Sequence, residues 1–162
     1  MRVAIISDTH DQLELVQRAA DLIRAAAVDC VLHCGDITHP DSLEAFADLP
    51  LHVVLGNCDL DPQALGETIQ RLGGQLHARF GQLDLAGHAL AWTHGHRYDL
   101  LHSLIDSQQF AFVFHGHTHL LRDEQIGVTR VINPGAFVRV AQPTFALLDL
   151  SDGRLIVQPV HA

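Results

Sequence analysis

Short apolar runs that stop abruptly, each followed by an amphipathic stretch, constrain this chain more than any other feature. Residues 3–6 are uniformly apolar and β-rich and end at Ser7, as does a strand buried on both faces of a parallel sheet. Leu13, Val16, Ala19, Ala20, Ile23 and Ala27 then recur at helical spacing, with Glu14, Arg18, Asp21 and Arg24 between them. One apolar stripe along a helix over 12–27 results. Residues 30–33 and 51–55 read as further strands, and 41–47 and 62–72 as further helices. Strand and helix in alternation imply right-handed βαβ crossovers, so the first half is α/β.

The second half changes style. Residues 76–80, 83–85 and 89–92 are short, partly alternating runs separated by turns at Gly81 and Gly87, which predicts hairpins. A helix over 98–107 and a buried run at 110–114 follow. Strands are then expected at 120–126, 129–132, 145–150 and 155–157, with turns at Asn133-Pro134-Gly135 and Asp152-Gly153. Crossover helices early and hairpins late would bury most area as two packed sheets flanked by helices. The 162 residues, 48% of them hydrophobic, suit one domain spanning 1–162.

Chemistry collects where these strands end. Ser7-Asp8-Thr9-His10-Asp11 follows the first run, Gly35-Asp36 the second and Gly56-Asn57-Cys58-Asp59 the third. Thr93-His94-Gly95-His96 and His115-Gly116-His117-Thr118-His119 follow apolar runs in the second half. Carboxyl ends of parallel strands share one edge of a sheet, where ligands usually bind, so these segments can converge. Asp8 and His10, two apart in extended chain, can face one ion. A mixed oxygen and imidazole set suits Mn, Fe, Zn, Ni or Co better than Ca or Mg, and seven donors are too many for one ion. Two divalent metal ions bridged by a shared carboxylate fit the count, and they account for part of an unusual total of 13 histidines against 10 Lys+Arg.

The ordered series Asp8-x-His10, Gly35-Asp36, Gly56-Asn57, Thr93-His94-Gly95-His96 and Gly116-His117-Thr118-His119 resembles the calcineurin-like metallophosphoesterases. Within that superfamily it is most similar to the small bacterial and archaeal phosphodiesterases. The resemblance implies a four-layer α-β-β-α sandwich of two mixed sheets flanked by helices. It assigns Asp8, His10 and His119 to one metal, Asn57, His94 and His117 to the other, and Asp36 to the bridge. Asn57, Asp36 and His94 are the residues it expects to carry the chemistry, with Mn foremost among the metals and Ni, Co, Fe or Zn as substitutes. A metal-bridging hydroxide would attack a small phosphodiester. Two dications less Asp8, Asp36 and that hydroxide leave a formal +1, which matches a diester monoanion.

The chain departs from that pattern at two places. Many relatives carry His after the motif Asn, where it is thought to protonate the leaving oxygen, and here Cys58 stands. A thiol is the poorer acid, which penalises alkoxide leaving groups most; His96, His39 and His115 are the candidates to replace it. After Asn133-Pro134-Gly135, relatives usually continue with Ser, where this chain has Ala136. Asp59 and Asp11 either orient ligand imidazoles or cap loops. Cys30 and Cys34 read as buried apolar residues, Leu72-Gly73-Gly74 as a helix stop, and His33, His52, His77, His88, His102 and His161 as surface or packing residues.

Competing functions on the same scaffold are a phosphomonoesterase and a non-catalytic protein-binding scaffold, as in one retromer subunit of similar fold. With no inserted cap the site should be open, which favours diesters. A net charge of −9 and the lack of a basic tract count against a nucleic-acid partner. No apolar run approaches the roughly 20 residues of a membrane span. An odd number of cysteines and no secretory leader point to the cytoplasm. The family resemblance also implies a homo-oligomer.

Overall fold

Alternate residues of β1 (Arg2–Ile6) face two different cores, as the two-residue period of a strand requires. In a computed structural model that describes residues 1–161, Val3 and Ile5 pack with Leu32, Cys34, Trp92 and Phe114 between two sheets. Ala4 and Ile6 pack instead with Val16, Ala19 and Ile23 of α1 (Leu13–Ala25). β1 lies inside a six-stranded sheet ordered β11-β10-β1-β2-β3-β4. Its other strands are β2 (Cys30–His33), β3 (Leu51–Val53), β4 (Gln75–Leu76), β10 (Thr144–Asp149) and β11 (Leu155–Pro159). α2 (Pro62–Arg71) supplies Leu65 and Ile69 to the helical side of this sheet.

The second sheet has five strands ordered β5-β6-β7-β9-β8. They are β5 (Gly81–Leu85), β6 (His88–Trp92), β7 (Phe112–Phe114), β8 (Arg122–Ile126) and β9 (Thr129–Asn133). Its outer face, with Ala91, Val113 and Val131, is covered by Leu101, Leu104 and Ile105 of α3 (Tyr98–Asp106). The result is the expected helix, sheet, sheet, helix stack.

Three local expectations are corrected. Segment 41–47 forms a 3₁₀ helix, Pro40–Phe46, rather than an α-helix. Ser42 N–H and Ala47 N–H each reach back three residues, and the Ser42 hydroxyl donates to the His39 carbonyl at 2.8 Å, so local bonds compete with an α turn. Residues 76–80 are not a hairpin strand. Leu76 ends β4, which runs parallel to β3 because α2 carries the chain back, and Gly74 admits a close pass against the Leu51 carbonyl. The second half is also less antiparallel than its short runs imply, since β6, β7 and β9 pair in parallel. α3 supplies the crossover from β6 to β7, and β8 lies in the connection from β7 to β9. Parallel strands in both sheets therefore present carboxyl ends at one edge of the sandwich. Among the described residues no helix is long and apolar enough to cross a membrane.

Candidate metal centre

Beyond each parallel strand the chain continues pairing for a few residues before turning away. Asp8 N–H donates to the Gly35 carbonyl at 3.0 Å and His10 N–H to the Asp36 carbonyl at 3.1 Å, which ties the loop after β1 to the loop after β2. Gly116 N–H donates to the His94 carbonyl at 2.9 Å, joining the loops after β6 and β7. The sheets meet where His117 N–H donates to Asp8 Oδ2 at 3.0 Å. Two glycines make this proximity feasible. A Cβ on Gly56 would fall on the Asp36 carboxylate, and one on Gly116 on Ser7 Oγ and Asp8 Oδ2.

The backbone at this edge is strained. Asp8, His10, Asp36, His117 and His119 have φ of 54°, 40°, 57°, 67° and 59°, the left-handed region that L side chains rarely adopt. Each such residue costs of order 1–3 kcal/mol and persists only where surrounding bonds enforce it. Here the strain aims polar side chains inward.

Those side chains converge. Asp36 Oδ2 lies 3.4 Å from His10 Nε2 and 3.4 Å from His94 Nε2. His119 Nε2 lies 3.2 Å from Asp8 Oδ1, and Asn57 Oδ1 lies 3.2 Å from His94 Nε2. The donor atoms of Asp8, His10 and His119 fall within 4.8 Å of one another, as do those of Asp8, Asp36 and His94. His117 belongs to neither cluster; it lines the same cleft, its ring edge-on to that of His94 at 5.1 Å. The cleft measures about 620 Å³.

The donor set fits a cation. His94 donates Nδ1–H to the Cys34 carbonyl at 2.9 Å, which leaves Nε2 facing two oxygens, Asp36 Oδ2 and Asn57 Oδ1. Burial lowers the His94 pKa, but the Asp36 carboxylate outweighs it and the imidazole is raised. Burial likewise opposes ionisation of Asp36, while hydrogen bonds from His94 and from Cys58 N–H prevail and hold it well below the carboxylate range. Asp8 Oδ1 and His10 Nε2 are buried with no hydrogen-bond partner. Orphaned buried polar atoms are costly, and a dication between them would remove the cost.

The flanking residues take distinct roles. Asp59 orients no imidazole: its carboxylate accepts N–H bonds from Asp36, Ile37, Thr38 and Gly56 at 3.0, 2.7, 2.8 and 2.7 Å. Asp11 accepts from the hydroxyls of Thr38 and Ser42, again a loop tie. Cys58 lines the cleft beside His10 and Asp36, and burial followed by the Asp36 carboxylate pushes its thiol up to about 11. None of the histidines expected to replace it as an acid, His39, His96 and His115, is among the residues lining the cleft. His39 is exposed and caps the 3₁₀ helix, burial holds His115 down at about 4, and burial together with His94 lowers His96. His33 is no surface residue: it is fully buried, accepting from Gly35 N–H at Nδ1 and meeting Thr9 Oγ1 at Nε2.

Two further residues take roles that the sequence did not assign them. Asn133, in the turn after which Ala136 departs from the family pattern, donates to the Gly116 carbonyl and to Thr118 Oγ1, both at 3.0 Å, and so holds the last ligand loop. Arg139 lines the same cleft as the donor residues. It lies in an irregular segment with no periodicity to mark it.

Comparison with known proteins adds the family. Residues 1–153 match the model of the calcineurin-like phosphoesterase superfamily domain. Phosphodiesterase MJ0936 of Methanocaldococcus jannaschii is 29% identical over 154 residues, covering 92% of this chain and 93% of its own. A solved structure described as a novel archaeal phosphodiesterase superposes with a TM-score of 0.93 at 26% identity, covering 99% of this chain and all of the other. Vps29 of Entamoeba histolytica shares the fold at a TM-score of 0.72 and 20% identity, over 99% of this chain and 98% of its own.

Proposed function

The chain belongs to the calcineurin-like phosphoesterase superfamily, and on that premise we propose that it is a metal-dependent phosphodiesterase acting on small phosphodiesters. The observation that carries the reading is Asp36 Oδ2, equidistant at 3.4 Å from the Nε2 atoms of His10 and His94. One carboxylate oxygen thus stands between two imidazoles, as a bridge between two ions requires. We assign Asp8, His10 and His119 to one ion, Asn57, His94 and His117 to the other, and Asp36 to both. Bound there, two divalent ions would supply a water of lowered pKa and a field to gather the charge growing on phosphorus. Mn is the first choice, with Ni, Co, Fe or Zn able to replace it.

The protein's own groups do the positioning. The Cys34 carbonyl fixes the His94 tautomer so that Nε2 is the ligating atom. Cys58 N–H, donating to Asp36 Oδ1 at 2.8 Å, leaves Oδ2 free to face the two histidines. Asn57 stands at the mouth of the cleft, within reach of a phosphate oxygen. Cys58 stands where many relatives carry a histidine, and a thiol is a weaker hydrogen-bond donor than an imidazolium, so esters of good leaving groups should be favoured. The three cysteines are all free, which suits a reducing cytoplasm.

The test is hydrolysis of bis(p-nitrophenyl) phosphate beside p-nitrophenyl phosphate by metal-stripped protein reloaded with Mn, Ni, Co, Zn or Mg. Diester cleavage that depends on metal and falls more than about 100-fold in Asp36→Asn is expected, beyond the range that loss of an outer partner alone produces. Cleavage of the monoester alone would move the reading to a phosphomonoesterase. Two bound ions without turnover would leave a protein-binding scaffold.

A further inference from the structure

The cleft is larger than a phosphate needs, and part of its lining is of a different kind from the donor residues. Leu120, Arg139, Val140 and Ala141 line it. Leu120, 70% exposed, offers apolar surface beside Arg139. Arg139 is held with φ 56°, in a loop anchored on both sides. Phe137, 3% exposed, donates its N–H to the Asp8 carbonyl at 3.1 Å, and Thr144 Oγ1 donates to the Pro134 carbonyl at 2.7 Å. The loop carrying the arginine is therefore tied directly to a residue of the candidate centre.

Arg139 is the one arginine among the residues that line the cleft. Arg2, Arg24, Arg71, Arg97, Arg122 and Arg130 each pair with a carboxylate, while Arg18, Arg79 and Arg154 make no ion pair among the described residues and do not line the cleft. In a chain of net charge −9, Arg139 makes no ion pair or side-chain hydrogen bond among the described residues, and it faces the site. The formal +1 of a loaded centre already balances a diester monoanion, so the guanidinium is surplus to the reacting phosphate. Its forked donors match a carboxylate or a second phosphate.

We propose that this part of the lining is the subsite for one ester substituent, and that Arg139 selects substituents bearing a negative charge. The inference rests on the phosphodiesterase reading above and narrows its substrate class to diesters with a second anionic group. The apolar residues beside Arg139 seat the body of the substituent while the guanidinium reads its charge.

Thymidine 5′-(p-nitrophenyl phosphate) and its 3′-phosphorylated counterpart share a leaving group and differ by one anion, so they isolate the effect. With Mn-loaded protein the 3′-phosphorylated ester should be preferred about fivefold in kcat/KM, mainly through KM, as for an exposed but forked ion pair. Arg139→Gln should erase the preference and Arg139→Lys retain part of it. Equal kcat/KM for the two esters in the wild type, or a preference that survives in Arg139→Gln, overturns the subsite while leaving the phosphodiesterase intact. If neither ester is cleaved with any metal, the phosphodiesterase reading falls instead. Calorimetric binding of thymidine 3′,5′-bisphosphate against thymidine 5′-phosphate then decides the subsite: tighter binding of the bisphosphate that Arg139→Gln abolishes supports it, and equal binding overturns it.

Discussion

The two sheets hold their halves of the candidate centre by different means. On the first sheet one buried carboxylate, Asp59, accepts four backbone N–H groups from the loops carrying Asp36 and Asn57. Those loops are locked to each other whether or not anything binds. On the second sheet the anchor is a neutral amide, Asn133, with two donated bonds. The loop it holds also leans on the first sheet, through His117 N–H to Asp8 Oδ2. A pre-formed half thus stands against a half that borrows its position, and removal of metal should loosen the second before the first.

Asp59→Ala tests that asymmetry at its stronger end. It leaves four backbone donors without their acceptor, and breaking a buried charged network of this kind costs about 3–5 kcal/mol. Urea unfolding of the metal-free variant measures the loss, and Asp59→Asn should recover part of it. A loss below about 1 kcal/mol, the scale of a single neutral bond, would mean that the first half is not held by Asp59 at all.

The junction between the halves comes next. In Gly116→Ala the new methyl collides with Ser7 and with the Asp8 carboxylate, which no flexible side-chain end can relieve. Overpacking of this sort costs about 1–3 kcal/mol, and it should weaken metal binding more than its stability cost suggests, because Asp8 must move. Calorimetric titration with Mn reads the two effects apart. Unchanged affinity would show that the sheets are positioned independently. Asn133→Ala, acting on the borrowed half alone, should cost about 1 kcal/mol and reduce Mn affinity about tenfold, the lower range for outer partners.

How much of this was readable beforehand follows the same division. Abrupt ends of apolar runs at Ser7, Gly35 and Gly56 marked the parallel strands of the first sheet, because a strand buried on both faces has no polar alternation to blur its end. The candidate ligands were visible for the same reason: Asp8, Asp36, Asn57, His94 and His117 stand directly after such ends. The left-handed backbone at Asp8, His10 and Asp36 was not visible, since it runs against local preference and is imposed by the neighbouring loop. Nor could local pattern separate a ligand-orienting Asp59 from a capping one, as both roles suit an acid after a Gly-Asn turn. Asn133 and Arg139 act across the fold, and β4 is a two-residue edge whose partner lies 23 residues back. Only the assembled topology shows them.

Beneath each half lies a buried histidine, and protons compare the two at the smallest scale. His33 sits under the first half and His115 under the second, and burial, the largest cause in each case, lowers both from 6.5 to about 4. Both are therefore neutral in the folded chain, where His33 Nδ1 must keep its lone pair to accept from Gly35 N–H. The unfolded chain takes up protons on them between about pH 6.5 and pH 4 that the folded chain refuses, so stability falls as pH is lowered through that window. From pH 7.5 to 5.5 the loss is about 1 kcal/mol for each histidine. His94, raised by Asp36, works in the opposite sense, its contribution being lost as pH rises. The pH dependence of the metal-free wild type is thus a mixture, and variants must separate it. Unfolding free energies at the two pH values should differ less in His33→Gln and in His115→Asn than in the wild type, by about 1 kcal/mol each. Equal relief from both would show that burial alone sets the two imidazoles. Relief only in His33→Gln would show that the bond from Gly35 matters, and that His115, whose Nε2 has no partner, admits a proton that the pre-formed half excludes.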